Sequence, residues 1–205
     1  ANVSFKKGKI MQVYAVAYSR SERKVLAAKK RLTGRWFHTG RAYRDTGRDN
    51  ILNNAGQYVF PGGRAESRNM AAEACREFRE ETGYDLSALT GAVYYGKTGP
   101  DGRTMLVSAA TEGAASGALF AIYYVDVADF GAMTEAISAN LSDPARRRGL
   151  EIDDELEKPK VWAFEDAPAK MRKERTVGLV YQEKAGQLRD WYFAAMDYLV
   201  NELAR

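Results

Sequence analysis

Residues 62–84 read GGRAESRNMAAEACREFREETGY, and this stretch decides the fold of the chain. Asn69 is a favourable N-cap residue, and Gly83 is a natural stop at the C-terminal end of a helix. Between them, four apolar residues follow the i, i+3, i+4, i+7 spacing of a helix with one apolar side: Ala71, Ala74, Cys75 and Phe78. The pattern predicts a helix that is capped by Asn69, runs through Thr82 and packs on a sheet, with Cys75 in the core.

Four glutamates of the same stretch are spaced i, i+4, i+7 and i+8, which places them on one face of the helix: Glu73, Glu77, Glu80 and Glu81. Like charges one turn apart destabilise a helix by about 0.3 kcal/mol per pair. Bound Mg²⁺ or Mn²⁺ could reverse this cost, because both ions prefer oxygen ligands. The spacing alone also fits a solvated helix laced with Arg–Glu pairs, such as Arg76 with Glu80.

The order of these residues resembles the Nudix box. That family's pattern runs Gly, five residues, Glu, seven residues, Arg-Glu, an apolar residue, any residue, Glu-Glu, any residue, Gly and a second apolar residue. Residues 76–84 (REFREETGY) match its second half throughout. Such a match is expected by chance in about one in several thousand chains of this length. Arg68 stands where the pattern has its first glutamate, which leaves Glu66 or Glu73 as the replacement carboxylate.

The resemblance implies an α/β fold, specifically an α/β/α sandwich with a mixed β-sheet, over about residues 10–172. We expect a single domain, 1–205, with an insertion near 33–57 and a C-terminal helical extension at about 173–205. The Gly-, Arg-, Asn- and Asp-rich composition of the insertion predicts a long loop. Strands are predicted at 11–19, 24–29, 57–60 (followed by a turn at 61–63), 92–97, 104–110, 118–126 and 160–164. Helices are predicted at 133–140 and from Glu165, and a polar loop at 146–148.

Nudix proteins typically hydrolyse a nucleoside diphosphate linked to another group, such as ADP-ribose, a nucleotide sugar or a dinucleotide. The resemblance implies Glu77, Glu80 and Glu81 as ligands of Mg²⁺ or Mn²⁺, and Arg76 as the residue that orients Glu77. A metal suits this chemistry because it neutralises the phosphates and lowers the pKa of the attacking water. The catalytic candidates are therefore Glu77, Arg76 and Glu80.

The general base comes from the box or from another loop, and Glu77 is its first candidate. Candidates outside the box are Glu112 and the run 153–155 (Asp-Asp-Glu), although acids in loops are more often simply solvated. Lys30, Arg31 and Arg64 flank the predicted site and are candidate phosphate contacts.

The insertion contains an aromatic group and the single histidine of the chain, His38. Trp36, Phe37 and Tyr43 could stack on a base, but a local aromatic core is the favoured interpretation. His38 has no recognisable nucleophile partner in the sequence, which disfavours a histidine-dependent hydrolase.

The charge of the chain limits the kinds of partner that the sequence predicts. The 31 basic and 27 acidic residues leave a formal charge of +4, an excess too small to imply nucleic acid. The runs 6–7, 29–31 and 146–148 keep an enzyme or binder acting on capped RNA as an alternative. A second alternative is a Nudix-like nucleotide-binding module that Arg68 has weakened catalytically.

One cysteine, Cys75, excludes an intramolecular disulfide and fits a reducing compartment, so we expect a cytoplasmic protein. The apolar stretches are shorter than the roughly 20 residues of a membrane span, so no membrane partner is expected. The family resemblance permits a homodimer.

Overall fold

A computed structural model of the protein describes residues 11–88, 93–95, 105–108, 119–173 and 191–203. Its strands are β1 (Met11–Ser19), β2 (Lys24–Lys30), β3 (Thr33–Thr39), β4 (Ala42–Ile51), β5 (Tyr58–Val59), β6 (Gly62–Arg64), β7 (Val93–Tyr95), β8 (Met105–Ser108), β9 (Leu119–Asp126) and β10 (Leu156–Ala163). Its helices are α1 (Met70–Thr82), α2 (Phe130–Ser142), α3 (Pro144–Gly149), α4 (Ala167–Lys173) and α5 (Trp191–Tyr198). Short helical turns follow at Leu86–Ala88 and Leu199–Leu203.

Eight of these strands form one mixed sheet, whose central order is β10-β2-β1-β9-β7. Strands β1 and β9 are parallel, whereas β1 and β2 form the predicted antiparallel hairpin, in which Tyr18 pairs with Val25. The short strands β5, β6 and β8 pair with β2, β1 and β9, respectively. The predicted α/β fold with a mixed sheet is confirmed.

The core lies between this sheet and two groups of helices. Helix α1 packs on β1 and β6 and contacts α2, while α4 contacts α5. Tyr14 and Tyr124 share one face of the sheet, which α5 covers: the Tyr14 and Tyr192 rings lie 5.8 Å apart, and the Tyr124 hydroxyl donates to the carbonyl of Ala195 at 2.9 Å. Cys75 is buried in this core, as predicted.

The insertion is not the long loop that its composition predicts. Strands β3 and β4 form a separate antiparallel hairpin, in which His38 pairs with Tyr43 and Gly40 turns the chain at a φ of 63°. Thr, Trp, Phe and Tyr favour strands, and pairing between the two arms outweighs the Gly, Asn and Asp content.

Two shorter predictions are also wrong. Gly62 and Gly63, predicted to be a turn, lie in β6 and pair with Tyr14 and Val13. Residues 146–148, predicted to be a polar loop, belong to α3, because Asp143 caps a helix whose first residue is Pro144.

Glu112, Lys6, Lys7 and residues 174–190 of the predicted extension lie outside the described residues. Among the helices that the structure describes, none is long and apolar enough to cross a membrane.

Candidate active site

Helix α1 presents the residues of the box. The Asn69 side chain accepts a hydrogen bond from the amide of Ala72 at 3.2 Å, which caps the first turn as predicted. Gly83 ends the helix in the left-handed conformation, at a φ of 70°, and its amide donates to the carbonyl of Arg79. These caps fix the helix that places the box glutamates beside strand β6.

Arg76 joins three of the helix carboxylates. Its guanidinium contacts Glu77 Oε1 at 2.7 Å, Glu80 Oε2 at 2.6 Å and Glu73 Oε2 at 2.9 Å. We call these four residues the Arg76 network. Their side chains are only 7–19% exposed, so the guanidinium neutralises carboxylates that are largely shielded from water.

Glu73 contacts Arg76 from the preceding turn of the helix. Its Oε2 accepts from Arg76 Nε and Nη2 and from the backbone amide of Glu66 at 3.0 Å. Arg68, which stands at the box position itself, is exposed. Of the two candidate replacements, Glu73 therefore supplies a carboxylate to Arg76, whereas Glu66 supplies a backbone amide to Glu73.

Glu81 is buried behind this network. Its Oε2 accepts from the backbone amide of Gly62 at 3.1 Å, and its Oε1 lies 3.8 Å from Lys30 Nζ. Lys30 also forms an ion pair with Glu155. The sequence predicts Lys30 as a phosphate contact, but in this structure its ammonium group is held between two carboxylates.

Strand β6 lies close to α1 on one side and to β1 on the other. A Cβ at Gly63 would lie 2.5 Å from Glu77 Oε2, and one at Gly62 would overlap the carbonyl oxygen of Val13. The backbone of β6 therefore forms one wall around the carboxylate of Glu77.

The positive charges of Arg76 and Lys30 compensate only part of the negative charge of the box carboxylates. Burial raises the pKa of Glu77 to about 7, against the opposing effect of Arg76. Burial also raises the pKa of Glu81 to about 8, against the opposing effect of Lys30. Buried carboxylates that resist ionisation in this way would be stabilised by a cation, and an all-oxygen donor set fits Mg²⁺ or Mn²⁺.

Glu80 also belongs to a second group of potential metal ligands. Ligand atoms of His38, Glu80 and Asp153 all lie within 4.8 Å of one another, and this is the one such group of three or more among the described residues. The predicted ligands Glu77 and Glu81 lie outside it. We call these three residues the His38 cluster.

Sequence reasoning missed the partner of His38, which is Asp153. Its Nδ1 lies 2.8 Å from Asp153 Oδ1, and burial raises the pKa of Asp153 to about 6 although His38 lowers it. The two residues are 115 positions apart, so no local spacing could reveal the pair. Asp153, a base candidate outside the box, thus lies at the site.

The remaining candidates lie at the edge of this region. The Arg31 side chain is 40% exposed, and its Nη1 lies 3.5 Å from Asp154 Oδ1. Arg64 is exposed, and its backbone carbonyl accepts a hydrogen bond from Arg76 Nη2 at 3.1 Å. The rings of Trp36 and Tyr43, two of the three aromatic residues singled out in the insertion, stack with centroids 5.5 Å apart.

The three arginines of α3 each contact other parts of the protein, and Arg147 is the buried one. Arg147 is buried, and its Nε donates to the carbonyl of Leu141 at 2.9 Å. Arg146 donates to Asn140, and the guanidinium of Arg148 lies over the ring of Trp36. One of the three arginines of this basic run is therefore buried within the protein, while Arg146 and Arg148 are exposed.

No family model and no curated protein matches the chain. Solved structures of MutT and Nudix proteins are among those to which the chain is similar. The MutT protein from Methanosarcina mazei Go1 is 16% identical over 89% of this chain and 96% of that one, with a TM-score of 0.40. A MutT Nudix hydrolase from Burkholderia pseudomallei is 14% identical over 85% and 98%, with a TM-score of 0.39.

A bifunctional NMN adenylyltransferase/ADP ribose pyrophosphatase from Francisella tularensis is 11% identical, with a TM-score of 0.43. The match covers 96% of this chain but 42% of that one. At these identities and scores, the solved structures assign no role to any residue of this chain.

Proposed function

We propose that the protein is a Nudix-type pyrophosphohydrolase, which uses Mg²⁺ or Mn²⁺ to hydrolyse a phosphoanhydride bond in a nucleoside diphosphate linked to another group. The observation that carries this proposal is the Arg76 network: the box arginine contacts Glu77 and Glu80 through separate nitrogens, while Glu81 lies buried one residue further on. A helix serving only solubility would leave such charges in water. The substrate class includes ADP-ribose, nucleotide sugars and dinucleotides, acted on in the cytoplasm.

Glu77, Glu80 and Glu81 would hold the metal. When bound, the ion neutralises the phosphates, orients them and lowers the pKa of the attacking water. The protein's own residues fix the ligands: Arg76 holds Glu77 and Glu80, while Lys30 and the Gly62 amide hold Glu81.

In this proposal, Glu77 is the general base. Its Oε1 is bound to Arg76, which leaves Oε2 to accept the proton of the attacking water. Burial raises the pKa of Glu77 to about 7 and a bound cation would lower it, so the carboxylate would be ionised and available as a base at neutral pH when metal is bound. Arg31 and Arg64, both partly or fully exposed, are the better-placed phosphate contacts, because Lys30 is paired with acids.

A panel of nucleoside diphosphate derivatives, incubated with Mg²⁺ or Mn²⁺ and analysed by product mass, tests the proposal. We expect turnover that requires metal and is abolished in the Glu80→Gln/Glu81→Gln double variant. Glu135→Gln is the matched control, because Glu135 is exposed on α2 and carries the same chemical change. Turnover that survives in the double variant would contradict the proposal.

A nucleotide-binding module is the second candidate, and Arg68 in place of the first box glutamate favours it. The contact between Glu73 and Arg76 argues against this candidate, because the arginine keeps its supporting carboxylate. Nucleotide binding by the folded protein, without turnover at saturating Mg²⁺, would establish the binding module instead.

A further inference from the structure

Lys30 lies at the end of strand β2, where its backbone is held from two sides. Its amide donates to the carbonyl of Gln57 at 2.9 Å, and its carbonyl accepts from the amide of Gly56 at 3.0 Å. On the opposite side, Lys30 pairs with Leu156 of β10. Because the backbone is fixed at this point, the acids within reach of the side chain decide where the ammonium group lies.

Two acids lie near this ammonium group, but at different distances. Lys30 Nζ donates a hydrogen bond to Glu155 Oε2 and forms an ion pair with it. Glu81 Oε1 lies 3.8 Å from the same nitrogen, which is beyond the limit of about 3.2 Å for an N–H···O hydrogen bond. The Lys30 and Glu81 side chains are only 13% and 3% exposed, so salt screens these charges weakly. Lys30 is therefore bonded to Glu155 and is only a neighbour of Glu81.

Glu155 reaches Lys30 from a fixed backbone. Its carbonyl accepts from the amide of Arg31 at 2.8 Å, and the next residue, Leu156, begins β10. The sequence predicts Glu155 as a candidate general base, but the structure pairs its carboxylate with Lys30. The contact thus gives Glu155 a different relation to the site, which runs through the ammonium group.

The position of this ammonium group matters for Glu81. Glu81 Oε2 already accepts from the amide of Gly62, so Oε1 is the oxygen left for an ion, and Lys30 lies beside it. An ammonium group bonded to that oxygen would compete with a metal ion for the same site, and the two cations would repel each other. Metal binding therefore requires that Lys30 be kept from closing on Oε1.

We propose that Glu155 is a positioning residue, which holds the ammonium group of Lys30 away from Glu81 and thereby keeps Glu81 Oε1 available to a divalent metal ion. Lys30 still compensates part of the charge of Glu81, but from 3.8 Å and without a hydrogen bond. Without the carboxylate of Glu155, the ammonium group would pair with Glu81 instead. The inference rests on the proposed function, in which Glu81 is a metal ligand.

The affinity for Mn²⁺, measured from the paramagnetic resonance of the free ion, tests this role without an assay of hydrolysis. Glu155→Gln should weaken binding about tenfold, because the loss of a group that orients a metal ligand has effects of this size. Glu157→Gln, which changes an exposed acid of β10, is the matched control and should bind as the wild type does. Glu155→Asp keeps the charge and should recover most of the affinity. Equal affinities for the wild type and folded Glu155→Gln, or equal losses in Glu155→Gln and folded Glu155→Asp, would overturn the proposal.

A second substitution shows whether Glu155 acts through Lys30. Lys30→Met removes the ammonium group, so the further change Glu155→Gln should then alter the Mn²⁺ affinity by less than about twofold. An equal loss with and without the ammonium group would mean that Glu155 acts on the metal site by its own charge or packing, and would overturn the proposal.

The Glu80→Gln/Glu81→Gln variant separates this proposal from the proposed function. If that variant binds Mn²⁺ as tightly as the wild type does, the box is not the metal site, and both proposals fail. If it loses Mn²⁺ while Glu155→Gln retains the wild-type affinity, only the role of Glu155 fails.

Discussion

The Arg76 network and the His38 cluster share Glu80, but the chain assembles them in opposite ways. The ion pairs of Arg76 join residues one to four positions apart, so they can form as soon as helix α1 forms. The contact between His38 and Asp153 joins residues 115 positions apart and exists only when the β3–β4 hairpin is docked. The two regions should therefore respond to different substitutions, and four predictions test this.

We expect the largest effect from removing the guanidinium of Arg76, which contacts three carboxylates. Arg76→Ala should lower the free energy of unfolding by about 3 kcal/mol, because it leaves partly buried carboxylates uncompensated. Arg79→Ala, on the exposed side of the same helix, should change it by less than about 0.5 kcal/mol. Urea denaturation at neutral pH measures both values, and equal losses would contradict the role given to Arg76.

A Cβ at Gly63 should damage the site without unfolding the protein. Gly63→Ala would push against Glu77 Oε2, which is the mobile end of a side chain. We expect kcat/KM on the substrate found in the panel to fall about 100-fold, because displacement of a catalytic group by about 1 Å has effects of this size. Gly131→Ala, where a Cβ meets nothing within 4 Å, is the control. Unchanged kcat/KM in Gly63→Ala would show that Glu77 is not held at the reacting centre.

Disruption of the hairpin should leave the helix intact. A Cβ at Gly34 would overlap the carbonyl oxygen of Asp154 and the ring of Phe37. Gly34→Ala should lower the free energy of unfolding by about 2 kcal/mol and accelerate amide hydrogen exchange in β3 and β4, while α1 keeps its protection. Gly149→Ala, in open space, should alter neither. Protection lost together in α1 and the hairpin would mean that the two regions form one unit.

The smallest expected effect is on the pH dependence of metal binding. Because the pKa of Glu77 is raised to about 7, its carboxyl is protonated below that pH, and a metal must displace the proton. The apparent affinity for Mn²⁺ should therefore rise with pH, and Glu81, whose pKa is raised to about 8, should extend the rise to about pH 9. Glu77→Gln should remove the part of the rise near pH 7 and leave the part that is due to Glu81. A wild-type affinity that does not change between about pH 6 and pH 8 would exclude Glu77 as a ligand that titrates in this range.

The parts of the molecule that follow from local patterns could be predicted from the sequence. Helix α1 carries its own cap, stop and apolar stripe within one short stretch, and the structure confirms all three. The hairpin of β1 and β2 and the strand β9 likewise follow from runs of apolar and aromatic residues. The contact of Arg76 with Glu80 also follows, because residues four apart meet on a helix.

The other features depend on contacts between distant parts of the chain. Glycine and polar residues predict a loop at 33–57, but pairing of β3 with β4 and docking on Asp154 override that composition. His38 acquires its partner only through this docking. The burial of Arg147 depends on carbonyl groups at the ends of α2 and β10 that no sequence spacing reveals.

The most direct test of the central claim is the incorporation of ¹⁸O from labelled water into the products of the best substrate. We predict one labelled phosphate oxygen per turnover in the wild type and in Glu135→Gln, and no product from Glu80→Gln/Glu81→Gln under the same Mg²⁺. Labelled product formed by the double variant at the wild-type rate would show that the box carboxylates do not carry the reaction.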